Sequence, residues 1–213
     1  MEFQSEIDNR QSKIMIVLMS ETTVTGYILA GGQSRRMGRD KAWMNVCGQP
    51  MITLLIDQLR GCAERVCVIT HPDKKRDYDH LDTDACLTDL VPDRGPMMGI
   101  YSGLMHTTTP LNLFIACDMP WISKALFKRL FAAWKKEVMI VASLGPAAAR
   151  YPLPMLCHLS AARTVGALMD RGRFSLQELL RQPQARLVNL NEPQWMHAFM
   201  NVNTLSDYAA VSS

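Results

Sequence analysis

Apolar positions fall along this chain in two alternating rhythms. The first is a strand-like run, Val24-Thr25-Gly26-Tyr27-Ile28-Leu29. Met51 to Leu59 then sets Ile52, Leu55, Ile56 and Leu59 on one helical face, with Gly61 as a stop. Val66 to Ile69 reads as a strand, and Ala85-Cys86-Leu87 as another that ends at Thr88-Asp89. The polar stretch His71 to Asp84 between them has room for a helical turn. A helix over Ile100–His106 precedes Leu113 to Cys117, a continuous apolar run of the kind shown by a central strand covered on both faces. Ser123 is placed to cap a helix from Lys124 to Trp134, and Val138 to Val141 reads as a further strand. After the small-residue loop Gly145 to Ala149 comes a strand, Leu153 to His158, and a helix that Ser160 would cap, running through Met169. Ser175-Leu176-Gln177-Glu178 has capping-box spacing, Leu187 to Leu190 is strand-like, and Thr204-Leu205-Ser206-Asp207 opens a last helix.

Strands alternating with helices predict the α/β class, a single domain with a mostly parallel central sheet and helices on both faces. No internal repeat, low-complexity segment or linker interrupts the pattern. Ile14 to Met19 is an apolar run too short for the core of a secretory signal or for a bilayer span. Residues 1–23 are therefore expected to be a disordered N-terminal extension and 24–213 the folded domain, with Met19 a compact alternative start.

Composition narrows this picture only a little. The 213 residues are 48% hydrophobic and 20% charged, ordinary for a soluble domain with a substantial core. The net charge of +3 is mild, with its positive part dense between Arg35 and Lys41. That favours a small anionic ligand over nucleic acid, which calls for basic residues spread along a face. The six cysteines form no CxxC pair, and Cys67 and Cys117 fall inside predicted strands as small hydrophobes. A reducing cytoplasm and no membrane are the expectation.

Chemistry concentrates after the first strand, in Leu29-Ala30-Gly31-Gly32 and the Arg35, Arg36, Arg39 and Lys41 that follow. Glycines let the backbone approach a ligand, successive N–H groups cradle anions, and guanidinium and ammonium groups suit phosphate. The segment reads as a polyphosphate site, against the bland alternative of a solvated basic turn. It matches neither the Walker spacing nor GxGxxG. In open α/β sheets, nucleotides bind outside the carboxyl ends of the strands. The Leu29 loop, Asp89, the loop around Gly95 and Asp118 all fall at such ends. Asp118, ending an apolar run, is placed to bind Mg²⁺, which takes one or two carboxylates with phosphates and water. Its alternative role is to cap the turn before Pro120.

The segment LAGGQSRRMGRDKA resembles the signature of nucleotidyltransferases with the GT-A-like, three-layer Rossmann-like architecture. Among these it is most similar to the MobA-type molybdenum cofactor guanylyltransferases, with Leu29, Ala30, Gly31, Gly32, Ser34, Arg36, Met37, Gly38, Asp40, Lys41 and Ala42 in register. The sister cytidylyltransferases tend to carry LAAG, so Gly32 favours guanine. The resemblance implies transfer of GMP from GTP to molybdopterin-bound molybdenum cofactor with release of pyrophosphate. It implies Mg²⁺ on Asp118, and Arg36, Lys41 and Asp118 as the catalytic groups. Leu29, Ala30, Gly31, Gly32, Lys41, Asp89, Gly95 and Asp118 would bind nucleotide, with Gly95-Pro96-Met97-Met98-Gly99 resembling the GPLAG segment near base or ribose. Phe199 to Thr204 resembles FxNVNTP without its proline, so Asn201 and Asn203 would face the pterin, or else serve turn geometry. Arg150 stands in an Arg-x-x-Pro segment near the cofactor substrate in relatives, or in a plain surface turn. Arg171 and Arg173 could meet an anion or simply complement a helix end. Some relatives carry a nucleotide-contacting asparagine after the second strand; its position here is read as Ile69, and no contact is assigned. Cofactor-insertion and molybdoenzyme-maturation proteins are the implied partners. The alternatives are a cytidylyltransferase for the same cofactor, another small-phosphate nucleotidyltransferase, or a non-catalytic nucleotide- or cofactor-binding accessory protein.

Overall fold

The computed structural model describes residues 23–32, 40–145, 148–202 and 207. Arg36, Asn203, nearly all of the expected N-terminal extension, and all of the last predicted helix except Asp207 lie outside the described residues. The first strand, β1, spans Val24–Leu29 as the apolar run predicts. A hairpin of β2 (Asn45–Val46) and β3 (Gln49–Pro50) leads into helix α1, Met51–Arg60. Strand β4 (Arg65–Thr70), the helical turn α2 (Lys75–Tyr78) and β5 (Ala85–Thr88) follow. Helix α3 (Pro96–His106) leads to β6 (Leu111–Ala116), α4 (Lys124–Ala133) and β7 (Ile140–Leu144). The described elements close with β8 (Arg150–His158), α5 (Ala161–Asp170), α6 (Leu176–Leu180) and β9 (Ala185–Asn189).

Seven strands make one sheet in the order β5-β4-β1-β6-β8-β7-β9. All neighbours run parallel except β8, which is antiparallel to both β6 and β7. β1 has β4 on one side and β6 on the other, so the strand order reverses there and opens a crevice beyond its carboxyl end. Alternation along β1 feeds two cores. Val24 and Ile28 pack into the layer of α1 and α4, while Tyr27 and Leu29 pack into that of α3, α5 and α6. Tyr27 stacks on Phe114 with ring centroids 4.9 Å apart. Helix α3 lies close to the sheet because Gly103 faces it: a Cβ there would stand 2.7 Å from Phe114 Cε1.

Several boundaries and caps differ from the sequence reading. α3 begins at Pro96 rather than Ile100, because Pro at the first helical position gives up only an N–H that had no partner. Its N-cap, Gly95, has φ +73°, which glycine accommodates. β6 starts earlier and ends before Cys117, which lies just beyond the strand rather than inside it. Ser160 does not cap α5. Its backbone is already helical (φ −62°, ψ −16°) and its hydroxyl lies 2.8 Å from His158 Nδ1. The capping box forms by half: Ser175 Oγ accepts the Gln177 N–H, while the Glu178 carboxylate is taken by Arg173 and Arg181.

Candidate active site

The site grows from the end of β1. The Ala30 N–H donates to the Ile69 carbonyl (2.7 Å) and the Cys117 N–H to the Leu29 carbonyl (3.2 Å), so both neighbouring strands hold the entry to the glycine turn. Ala30 is buried beneath that turn. Gly31 is closely approached, since a Cβ would come 2.9 Å from Asp89 Oδ2. Asp89 follows β5, and its N–H donates to the Thr70 carbonyl at 3.1 Å. Its Oδ1 is buried and accepts no hydrogen bond among the described residues. Burial pushes the Asp89 carboxyl up to about 6, with His71 opposing and Asp93 adding to the rise.

Asp118 stands just past β6, the central strand. Its Oδ1 is also buried, with no hydrogen-bond partner among the described residues. Its Oδ2 lies 3.8 Å from Lys41 Nζ, a loose ion pair rather than a hydrogen bond. Desolvation holds the Asp118 carboxyl above the usual range, and the Lys41 ammonium pulls it partly back. The Asp118 carbonyl accepts the Val202 N–H at 2.9 Å, which ties the segment after β9 to the site. Lys41 itself is presented by a single 3₁₀ turn, Lys41–Trp43, whose N-cap is Asp40.

One cleft of about 700 Å³ lies here, lined by Gly31, Gly32, Asp89, Gly95, Asp118 and Asn201. Leu29, Ile69 and Leu153 supply apolar wall. Asp93 also faces it, so three carboxylates, those of Asp89, Asp93 and Asp118, share this space. An acidic surface of this kind admits an anion only with added positive charge. Two carboxylates with orphaned oxygens suit Mg²⁺, which completes its shell with phosphates and water. No group of three His, Cys, Asp or Glu suited to a metal occurs among the described residues, so an all-protein cage is not what these side chains build.

The structure thus brings together most of the positions singled out in the sequence. Three described positions are not part of the cleft lining: Ala30 is buried, Lys41 meets the site through Asp118, and Arg150 opens β8 exposed, its carbonyl accepting from Gln177 Nε2 at 3.1 Å. Arg173 pairs with Glu178, and Arg171 ends α5. β4 runs through Thr70, so the residue that follows the strand is His71; Ile69 lies inside it, nearly fully buried. Residues given no role from the sequence also matter here. Asp40, Lys74 and Tyr78 meet behind the glycine turn, Leu153 walls the cleft and Val202 braces Asp118. Only Asp40 carried a signal, its place in the Asp-Lys pair.

The model of the MobA-like NTP transferase domain matches residues 26–188. A molybdenum cofactor guanylyltransferase of Serratia proteamaculans is 31% identical over 186 residues, covering 86% of this chain and 91% of its own. A probable molybdenum cofactor guanylyltransferase of Flavobacterium johnsoniae is 28% identical over 185 residues, with 87% and 94% coverage. Among solved structures, the molybdopterin-guanine dinucleotide biosynthesis protein A of Archaeoglobus fulgidus superposes with a TM-score of 0.71 at 18% identity, covering 88% of this chain and 96% of that one. That likeness establishes the nucleotidyltransferase fold. No described helix is long and apolar enough to cross a membrane.

Proposed function

Because the chain belongs to the MobA-like NTP transferase family, we propose that it transfers GMP from GTP to the terminal phosphate of a molybdopterin-bound molybdenum cofactor, releasing pyrophosphate. The names of its relatives and Gly32 in the first motif support this choice of substrates. The observation that carries it is Asp118, with one buried oxygen unpartnered and the other beside Lys41, at the mouth of a cleft edged by the glycine turn.

A terminal phosphate monoester is largely a dianion at neutral pH, its second pKa being near 6. Such a nucleophile needs no general base to attack the α-phosphorus of GTP. The barrier lies in bringing two anions into a cleft lined by Asp89, Asp93 and Asp118. Backbone N–H groups at Gly31 and Gly32 would receive phosphate oxygens, and the Lys41 ammonium would move from its loose contact with Asp118 toward the departing pyrophosphate. Mg²⁺ held by Asp118, with Asp89 beside it, would neutralise the triphosphate and act as Lewis acid. Gly95 and the start of α3 would face base or ribose, and Asn201 the acceptor. A cytoplasmic setting and partner proteins that deliver and receive the cofactor belong to the same proposal.

The test is pyrophosphate release by the purified protein with Mg²⁺ and molybdopterin-bound molybdenum, given GTP or CTP. Release with GTP that depends on the acceptor supports the reading. Release with CTP alone moves the protein to the cytidylyl reaction. GTP binding with no release alongside an active acceptor preparation would point to an accessory, non-catalytic protein.

A further inference from the structure

Lys74 lies in the turn Pro72–Lys74 after β4, far in sequence from the glycine turn. Its ammonium is 2.9 Å from Asp40 Oδ2 and 3.4 Å from the Gly32 carbonyl oxygen. Those two acceptors flank the arginine-rich segment: Gly32 closes the turn after β1, and Asp40 caps the turn that presents Lys41. One side chain therefore spans both ends. Asp40 is held on three sides, because Oδ1 accepts the Ala42 N–H at 3.3 Å and Oδ2 also accepts the Tyr78 hydroxyl at 2.9 Å. Tyr78 is fully buried, so the anchor behind Asp40 belongs to the core.

Immobilising a lysine is entropically costly, and a partly exposed ion pair returns little stability. The Lys74 side chain is 29% exposed, which makes fold stability a weak account of this arrangement. Its geometric effect is direct. Gly32, Asp40 and, through Asp40, Lys41 are referenced to one point on the segment after β4, and Lys41 in turn meets Asp118.

We propose that Lys74 is a positioning residue for nucleoside triphosphate: by bridging the Gly32 carbonyl and the Asp40 carboxylate it sets the spacing of the phosphate-binding segment and the place of Lys41 opposite Asp118. This rests on reading the cleft as a nucleotide site. Lys74→Met removes both contacts while leaving Tyr78 on Asp40. Binding of GTP with Mg²⁺ to the whole chain, followed by calorimetry, should weaken roughly tenfold, equivalent to about 1.4 kcal/mol of lost preorganisation, with the melting temperature little changed. Lys74→Arg, which can reach both acceptors, should recover most of the affinity. The Lys74→Met and Asp40→Asn losses should not add, since each opens the same bridge. Unchanged affinity in Lys74→Met overturns the inference. So does failure of arginine to rescue, or full additivity with Asp40→Asn, which would make Lys74 an independent phosphate contact. If the unaltered protein itself binds no nucleoside triphosphate, the reading of the cleft fails first and the inference with it.

Discussion

Replacing Gly31 by alanine gives a sharp test of how the glycine turn and Asp89 depend on each other. The added methyl would sit 2.9 Å from Asp89 Oδ2, while its next neighbours are the His71 nitrogen at 3.6 Å and the Thr70 carbonyl carbon at 3.7 Å. Only the carboxylate contact is too short, and relieving it takes a shift of about 0.5 Å by the turn or by Asp89. Overpacking of that kind costs about 1–3 kcal/mol of stability when the surroundings cannot yield. Here the carboxylate has an unpartnered oxygen and can yield, so the cost should fall on the site: kcat/KM for GTP should drop by about 10²-fold, as for a misplaced binding group. The informative control is the same change in an Asp89→Ala background. With the carboxylate gone, the methyl meets only ordinary van der Waals neighbours, and Gly31→Ala should cost little further. Kinetics on the four proteins, with thermal melts to check folding, measure this. A Gly31→Ala enzyme with wild-type kcat/KM, or a loss just as large without Asp89, would refute the reasoning.

Other expectations follow from the same geometry. Asp118→Ala should cut pyrophosphate release by orders of magnitude at saturating Mg²⁺ while circular dichroism and melting stay near wild type; near-normal turnover would remove Asp118 from the metal role. The Asp89 carboxyl is raised from 3.8 to about 6 in the folded protein, so between those values the native state holds a proton that the unfolded chain has released. Stability of the ligand-free protein should therefore fall as pH rises through that window, and Asp89→Asn should flatten this part of the denaturation profile. An identical profile in the variant would contradict the assignment. Gly103→Ala places a methyl 2.7 Å from Phe114 Cε1 and 3.1 Å from Ile69 Cδ1, and should cost about 1–3 kcal/mol in urea denaturation, with most of its catalytic constants intact if the protein is folded. A neutral result would show that α3 can lift from the sheet without loss.

The central strands were legible because burial on both faces leaves a mostly apolar run, as in Val24–Leu29 and in the part of β6 from Leu113 on. The site was legible where a run stops abruptly at glycine or aspartate, since parallel strands deliver such stops to one edge. What sequence spacing could not supply were partners far apart in the chain. Lys74 reaches Asp40 across 34 positions, and neither residue announces the other. The β2–β3 hairpin was missed for a different reason. Its turn places Cys47 and Gly48 at φ 51° and 86°, and cysteine is not among the residues that usually mark such a turn. Helix caps failed where a local competitor won, His158 for Ser160 and the two arginines for Glu178. Arg36 and Asn203 lie outside the described residues, so their assigned roles stand on the motif alone.

The bond from the Val202 N–H to the Asp118 carbonyl gives the molecule an order of assembly. Domains are made from the amino end, and by the time β9 has been synthesised all seven strands of the large sheet are present. Asp118, however, follows a strand finished much earlier, and its carbonyl waits for a residue made after the whole sheet. Val202 is buried in the α1 side of the core, so its arrival fastens the brace and fills a place in the packing together. A chain that ended at β9 would thus hold every strand of the large sheet but leave the aspartate unbraced. Completion of the site would then rest on a residue that the sheet itself does not contain.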